Sequence, residues 1–131
     1  MFELTVVEEF SAAHRLPGTG GKCEALHGHN WKVEVRVGAE DLDEVGMVID
    51  FHELAVLTRQ VLAELDHSFL NDHPFFRERP PTAENLALFL FHNLGGRLAG
   101  GRVRLVHVRV WESDRTAASY GGDPAAGSGG P

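Results

Sequence analysis

The chain has 131 residues, 43% of them hydrophobic and 24% charged, with a net charge of -7, which describes one ordinary globular domain with room for a core. The acidic balance, with no basic stripe to offset it, excludes a nucleic-acid binder. A lone cysteine, Cys23, excludes an internal disulfide, and a start without a basic region or long apolar run predicts a cytoplasmic protein without signal peptide or membrane span.

Phe2, Leu4 and Val6 alternate with Glu3 and Thr5, which predicts a first strand from about residue 2 to 10. Pro17-Gly18-Thr19-Gly20-Gly21 marks a loop. Trp31, Val33, Val35 and Val37 then alternate with Lys32, Glu34 and Arg36, giving a second strand that ends near Gly38. Asp50 followed by Glu53 resembles a capping box, and Phe51, Leu54, Leu57, Val61, Leu62 and Leu65 predict a helix over about 51–65. Pro80-Pro81-Thr82-Ala83-Glu84 is a second helix start, with Thr82 as N-cap and acid in the first turn. Leu86, Phe89, Leu90 and Leu94 form the buried stripe of that helix.

Gly100-Gly101 turns into a third strand, roughly 102–112, where Val106, Val108 and Val110 share a face. A short fourth strand is expected near Ala117–Tyr120, its partner left open. Residues 122–131, rich in Gly, Ala, Ser and Pro, are predicted to be a disordered tail, leaving 1–121 as the domain. The order ββ-αα-ββ predicts an α+β fold: a four-stranded antiparallel sheet with two helices on one face.

The chemistry concentrates early. His14, Cys23, His27 and His29 fall within sixteen residues. Strand parity puts His27 and His29 on the face of Trp31, two imidazoles placed to hold a metal, with His14 as the third ligand. Three imidazoles with an open fourth position make a catalytic zinc site; the Cys-x3-His-x-His spacing also permits a closed structural site with Cys23 as the fourth ligand. Glu112 shares parity with Val106, Val108 and Val110, so it turns toward the apolar side and needs a partner there. Asp66 and His67 read locally as an ordinary pair at a helix end. Thr82 and Glu84 have a structural explanation as helix-start residues. Arg15 and Lys22 flank the metal segment, where they suit either a triphosphate or solvent. His52, His73, His92 and His107 read as structural or surface residues.

A rival pattern exists in Gly21-x5-His27-x-His29-x4-Glu34, which resembles the first half of a cupin metal motif. Parity opposes it, because Glu34 faces away from both histidines. Gly38 comes too early, the second half-motif is missing, and two marked helices fit a cupin barrel badly.

Six segments occur in order: Phe10-Ser-Ala-Ala-His14, Cys23-x3-His27-Gly-His29, Asp50-Phe51, Leu65-Asp66-His67, Pro81-Thr82-x-Glu84-Asn85-Leu86 and Val110-Trp111-Glu112. Over residues 2 to about 120 the chain resembles the 6-pyruvoyl-tetrahydropterin synthase family, particularly its 6-carboxy-5,6,7,8-tetrahydropterin synthase branch of the queuosine pathway. The resemblance implies the tunnelling fold and Zn2+ on His14, His27 and His29. It implies Cys23 as a base, Asp66 and His67 as a relay pair, and Glu112 as the acid that anchors the pterin. Thr82 and Glu84 would lie near the same pterin. It further implies a homohexamer with active sites at subunit interfaces. The implied reaction takes 7,8-dihydroneopterin triphosphate to 6-carboxytetrahydropterin with release of acetaldehyde and triphosphate. The alternative within the family is 6-pyruvoyltetrahydropterin, with loss of triphosphate alone. Cys23 stands three residues before His27, a gap that resembles the carboxy-forming enzymes; the pyruvoyl-forming ones usually have a longer one.

Overall fold

Alternating stretches become strands and helical periods become helices in the computed structural model, which describes residues 1–122. The chain runs β1 (Phe2–His14), β2 (His27–Ala39), α1 (Phe51–Leu62), β3 (Ser68–Phe69), α2 (Ala83–Leu98), β4 (Arg104–Ser113) and β5 (Thr116–Gly121). The strands form one sheet in the order β3-β1-β2-β4-β5. The pairs β1–β2, β2–β4 and β4–β5 are antiparallel, which assigns the fourth predicted strand its partner. The addition to the predicted four-stranded sheet is β3, whose two residues pair parallel with Ala12 and Ala13. Two residues carry no alternation, so sequence period could not reveal it.

Strand β1 runs four residues beyond the expected end, because β2 starts early and offers it a partner. Their ladder continues to the pair His14–His27. The histidine-rich segment is therefore sheet, which fixes its side chains more tightly than a loop would.

Parity decides what is buried. Val6, Phe10, Ala12, Trp31, Val33, Val35, Val37, Val108 and Val110 all face the core, each large aliphatic side chain contributing roughly 1.5–3 kcal/mol by leaving water. Onto this face α1 brings Leu54, Thr58, Val61 and Leu62, and α2 brings Leu86, Ala87, Phe89, Leu90 and Leu94. Buried Thr58 satisfies its hydroxyl by donating to the Leu54 carbonyl at 2.8 Å. The opposite face is polar, with Trp111 Nε1 donating to Glu34 at 2.9 Å and Lys32 lying over the Trp111 ring.

Both helix starts are capped by the expected residues. Asp50 accepts from the His52 amide at 2.7 Å, and Thr82 accepts from the Asn85 amide at 3.1 Å. Two details of α1 differ from its sequence pattern. It ends at Leu62 with Ala63 as C-cap, although Leu65 in the following turn is still fully buried. Phe51, counted among the apolar stripe, is 61% exposed, because it enters on the first turn before the helix meets the sheet. Among the described residues no helix is long and apolar enough to cross a membrane. Gly122 still donates to the Val106 carbonyl; the rest of the predicted tail, 123–131, lies outside the described residues.

Candidate functional site

The β1–β2 ladder sets His14 opposite His27, and His29 two residues further along β2 on the same face. The three side chains form a cluster whose ligand atoms all lie within 4.8 Å of one another. His14 is fully buried, and its ring meets those of His27 and His29 edge-on. Trp31 closes the floor, its ring edge-on to His14 and His29 at 5.1 and 5.0 Å.

Hydrogen bonds on the far side of each ring decide what this cluster can hold. His14 Nδ1 faces the Pro81 carbonyl at 2.8 Å, and His27 Nδ1 faces the Ala25 carbonyl at 2.7 Å. A carbonyl only accepts, so both Nδ1 atoms carry the proton, and a neutral ring so held presents its lone pair at Nε2. Those two Nε2 atoms are 2.9 Å apart. Lone pairs this close repel unless a cation lies between them. A proton is a poor substitute, since burial lowers the pKa of His14 from 6.5, outweighing the bond to Pro81 that raises it. His29 Nε2 is buried with no hydrogen-bond partner among the described residues. Its pKa is lowered too, first by burial and further by the neighbouring imidazoles, against the opposing pull of Glu112. Three imidazole nitrogens, two of the rings braced by carbonyls, fit a borderline divalent metal such as zinc.

Glu112 comes to the cluster from β4. The register pairing Lys32 with Trp111 puts the next residue of β4 beside this end of β2, and Glu112 Oε1 lies 3.7 Å from His29 Nε2. The carboxylate is part-exposed and lines a pocket of about 310 Å³ with Ala83, Glu84, Thr116, Ala117 and Ala118. Glu84 and Glu112 thus share one cavity. Thr82 does not line it; the Thr82 hydroxyl serves the helix cap.

Asp66 and His67 sit at the outer edge of β1. Asp66 Oδ1 accepts from the Ser11 amide at 2.9 Å, and Asp66 Oδ2 lies 3.0 Å from His67 Nδ1. The Ser11 bond is the main reason the Asp66 pKa lies below its usual value, with His67 adding to it. His67 is the one non-glycine with positive φ among the described residues, at 59°. That left-handed turn lets the His67 amide reach the Ser11 carbonyl and starts the pairing of β3 with β1. The side chain is 82% exposed. It borders an open cleft of about 460 Å³ with Ser11, Gly28, His29 and Asn30.

Cys23 lies apart from the cluster, exposed on a short 3-10 turn, Gly21–Glu24. The metal-ligand cluster gathers the three histidines and does not include Cys23. Arg15 is exposed and tied to the loop: Arg15 Nε donates to the Glu24 carbonyl at 3.1 Å. The structure also gives parts to residues that sequence spacing left unmarked. Ala25 and Pro81 act through their carbonyls, which no side-chain pattern reveals. Asn71 grips the backbone of Arg15, and only the fold brings those positions together.

The family model for 6-pyruvoyl tetrahydropterin synthase matches residues 3–123. The 6-carboxy-5,6,7,8-tetrahydropterin synthase of Synechocystis sp. is 40% identical over 116 residues, covering 85% of this chain and 86% of the relative. The 6-pyruvoyl tetrahydrobiopterin synthase of Poecilia reticulata is 33% identical over 134 residues, covering 92% and 90% respectively. Among solved structures, the 6-pyruvoyl tetrahydropterin synthase of Caenorhabditis elegans superposes with a TM-score of 0.82 at 31% identity, covering 93% of this chain and 96% of that one.

Proposed function

This chain belongs to the 6-pyruvoyl tetrahydropterin synthase family, and we propose that it converts 7,8-dihydroneopterin triphosphate to 6-carboxytetrahydropterin, releasing acetaldehyde and triphosphate. The observation that carries this reading is the cluster of His14, His27 and His29 with Glu112 at its rim. Zn2+ held by the three imidazoles would supply Lewis acidity toward the hydroxyls of the substrate side chain.

The chain's own residues do the rest. Glu112 offers two coplanar acceptor oxygens, which match the two N–H donors on the amino-pyrimidinone edge of a pterin. Its pocket, shared with Glu84, is where that ring would bind. Thr82 contributes by starting the helix that carries Glu84. Cys23 and His67 exchange protons with the side-chain carbons, the thiolate being the basic form of the cysteine. Asp66, held by the Ser11 amide, keeps the His67 ring oriented through Nδ1.

The exposure of both Cys23 and His67 supports a ring-like homohexamer that shields them at subunit interfaces. The reading places the protein in the cytoplasm, on the route to 7-deazaguanine nucleosides such as queuosine. The short Cys23–His27 gap supports the carboxy product over the pyruvoyl one. Elimination of triphosphate alone is the second reading, favoured by the 33% identity to the fish enzyme. Product analysis separates the two. Protein purified without a histidine tag is assayed for bound metal and incubated with dihydroneopterin triphosphate. Acetaldehyde with a carboxylated pterin supports the proposal; a pyruvoyl pterin without acetaldehyde selects the second reading. Full activity with no bound metal ends both.

A further inference from the structure

We propose that Asn71 is a positioning residue, whose side-chain amide locks the turn bearing Cys23 onto the end of β1. This deepens the reading of Cys23 as the base and rests on it.

The turn has little stiffness of its own. Gly18, Gly20 and Gly21 all have positive φ, at 84°, 77° and 66°, and none of residues 21–24 is buried. Its shape comes from polar ties. Leu16 N donates to the Cys23 carbonyl at 2.9 Å, and Arg15 Nε donates to the Glu24 carbonyl at 3.1 Å. Glu24 Oε1 accepts from the amides of Gly18 and Gly20 at 3.0 and 3.1 Å. The peptide groups on either side of Glu24, the first of them the Cys23–Glu24 link, are thus tied to Leu16 and Arg15, the first residues after β1. Where those two residues sit, Cys23 follows.

Arg15 is held in turn by one side chain. Its amide donates to Asn71 Oδ1 at 2.9 Å, and Asn71 Nδ2 donates to its carbonyl at 2.9 Å. The carboxamide therefore stands in for the peptide of a neighbouring strand, continuing by one residue pair the edge on which β3 joins Ala12 and Ala13. The position asks for a donor and an acceptor at fixed reach, which a carboxamide supplies. Asp lacks the donor, Gln is one methylene too long, and Ala has neither. Asn71 also lies in the run that begins with Asp66 and His67. One amide thus joins the segment of the proposed relay pair to the turn of the proposed base. A misplacement of about 1 Å at a reacting group can cost about a hundredfold in rate, so this tie sets where the thiol stands.

The test uses the full-length, metal-loaded protein and its Asn71→Asp variant, which keeps the acceptor and removes the donor. Three readouts are taken: bound metal, amide hydrogen exchange at Leu16, Gly18 and Gly20, and kcat with KM. The expected result is unchanged metal content, exchange at those amides faster by about tenfold, and kcat lower by roughly 10- to 100-fold with little change in KM. Unchanged exchange overturns the proposal, as does faster exchange with unchanged kcat. Loss of metal overturns it too, since Asn71 would then act through His14. If Asn71→Asp fails to fold, Asn71→Gln, which keeps donor and acceptor but sets them one methylene further out, takes its place. That variant is expected to speed exchange at Leu16 and lower kcat alike, and unchanged exchange would overturn the proposal. If the unmodified protein turns over no dihydroneopterin triphosphate, the proposed reaction fails, while exchange and metal content still decide whether Asn71 holds the turn.

Discussion

The histidine cluster and the Cys23 turn are close in sequence and built in opposite ways. His14, His27 and His29 stand on two paired strands, with carbonyls bracing two of the rings and Trp31 beneath. Cys23 stands on an exposed, glycine-rich turn held by a few side-chain hydrogen bonds. The contrast reflects the task of each part. Metal ligands have to meet at distances fixed to within a few tenths of an ångström, and a ladder of backbone bonds gives that precision. A group that exchanges protons with a substrate needs access first, and alignment second.

The largest expected effect breaks the rigid half. His27→Ala or His29→Ala is expected to abolish metal binding and turnover together, because the cluster of three imidazoles is left with two. Elemental analysis of the purified variants checks it, and a variant that retains a full complement of metal contradicts the three-histidine site. Cys23→Ala is the matching change in the exposed half. It is expected to keep its metal and its fold while kcat falls by ~10²–10⁴-fold. Metal loss in this variant would mean that the thiol is a ligand after all.

The same contrast explains which parts could be read from the residues alone. Period-2 alternation identified the faces of β2 and of β4 from Val108 onward, and with them the co-facing of His27, His29 and Glu112, because a strand has only two sides. At Val106, expected on the face of Val108 and Val110, a shift in the pairing with β2 breaks the period, and Leu105 packs against the core instead. The helices were legible through Asp50 and Thr82, whose short polar side chains accept from the first free amides of α1 and α2. Strand β3 was not legible, since two residues hold no period. Nor was the turn around Cys23, where shape depends on Asn71 gripping Arg15 from 56 positions away. Local pattern reports local preference; a tie across the fold leaves no mark on spacing.

A pH effect of intermediate size sharpens the comparison, using protein stripped of metal. Burial holds the His14 and His29 pKa values below 6.5 in the folded chain. Between those lowered values and 6.5 the unfolded chain binds more protons, so stability rises with pH through that window and is lost as pH falls below 6.5. Urea midpoints of the metal-free protein are therefore expected to drop between about pH 7.5 and about pH 5.5. The drop should shrink in His14→Gln, which removes the most buried of the three rings, and a midpoint independent of pH would show that these imidazoles are solvated.

The smallest expected effect separates stability from activity at His67. This residue holds a left-handed backbone at φ 59° while its side chain is 82% exposed. An L-residue with a Cβ spends roughly 1–2 kcal/mol to sit there, and glycine does not. Little packing is at stake, because the side chain faces solvent and its ionic contact with Asp66 is a surface one. His67→Gly keeps the backbone bonds to Ser11 that seat β3 on β1, and glycine's extra freedom in the unfolded chain offsets part of the relief. The net expectation is a gain of up to about 1 kcal/mol in unfolding free energy, read by urea denaturation. Turnover should fall at the same time, since the ring oriented by Asp66 is gone. Strain kept at an exposed residue is understandable where the side chain has a task that glycine cannot perform. A His67→Gly protein that is less stable than the parent would assign the residue to the scaffold, and one that keeps full kcat would remove it from the relay.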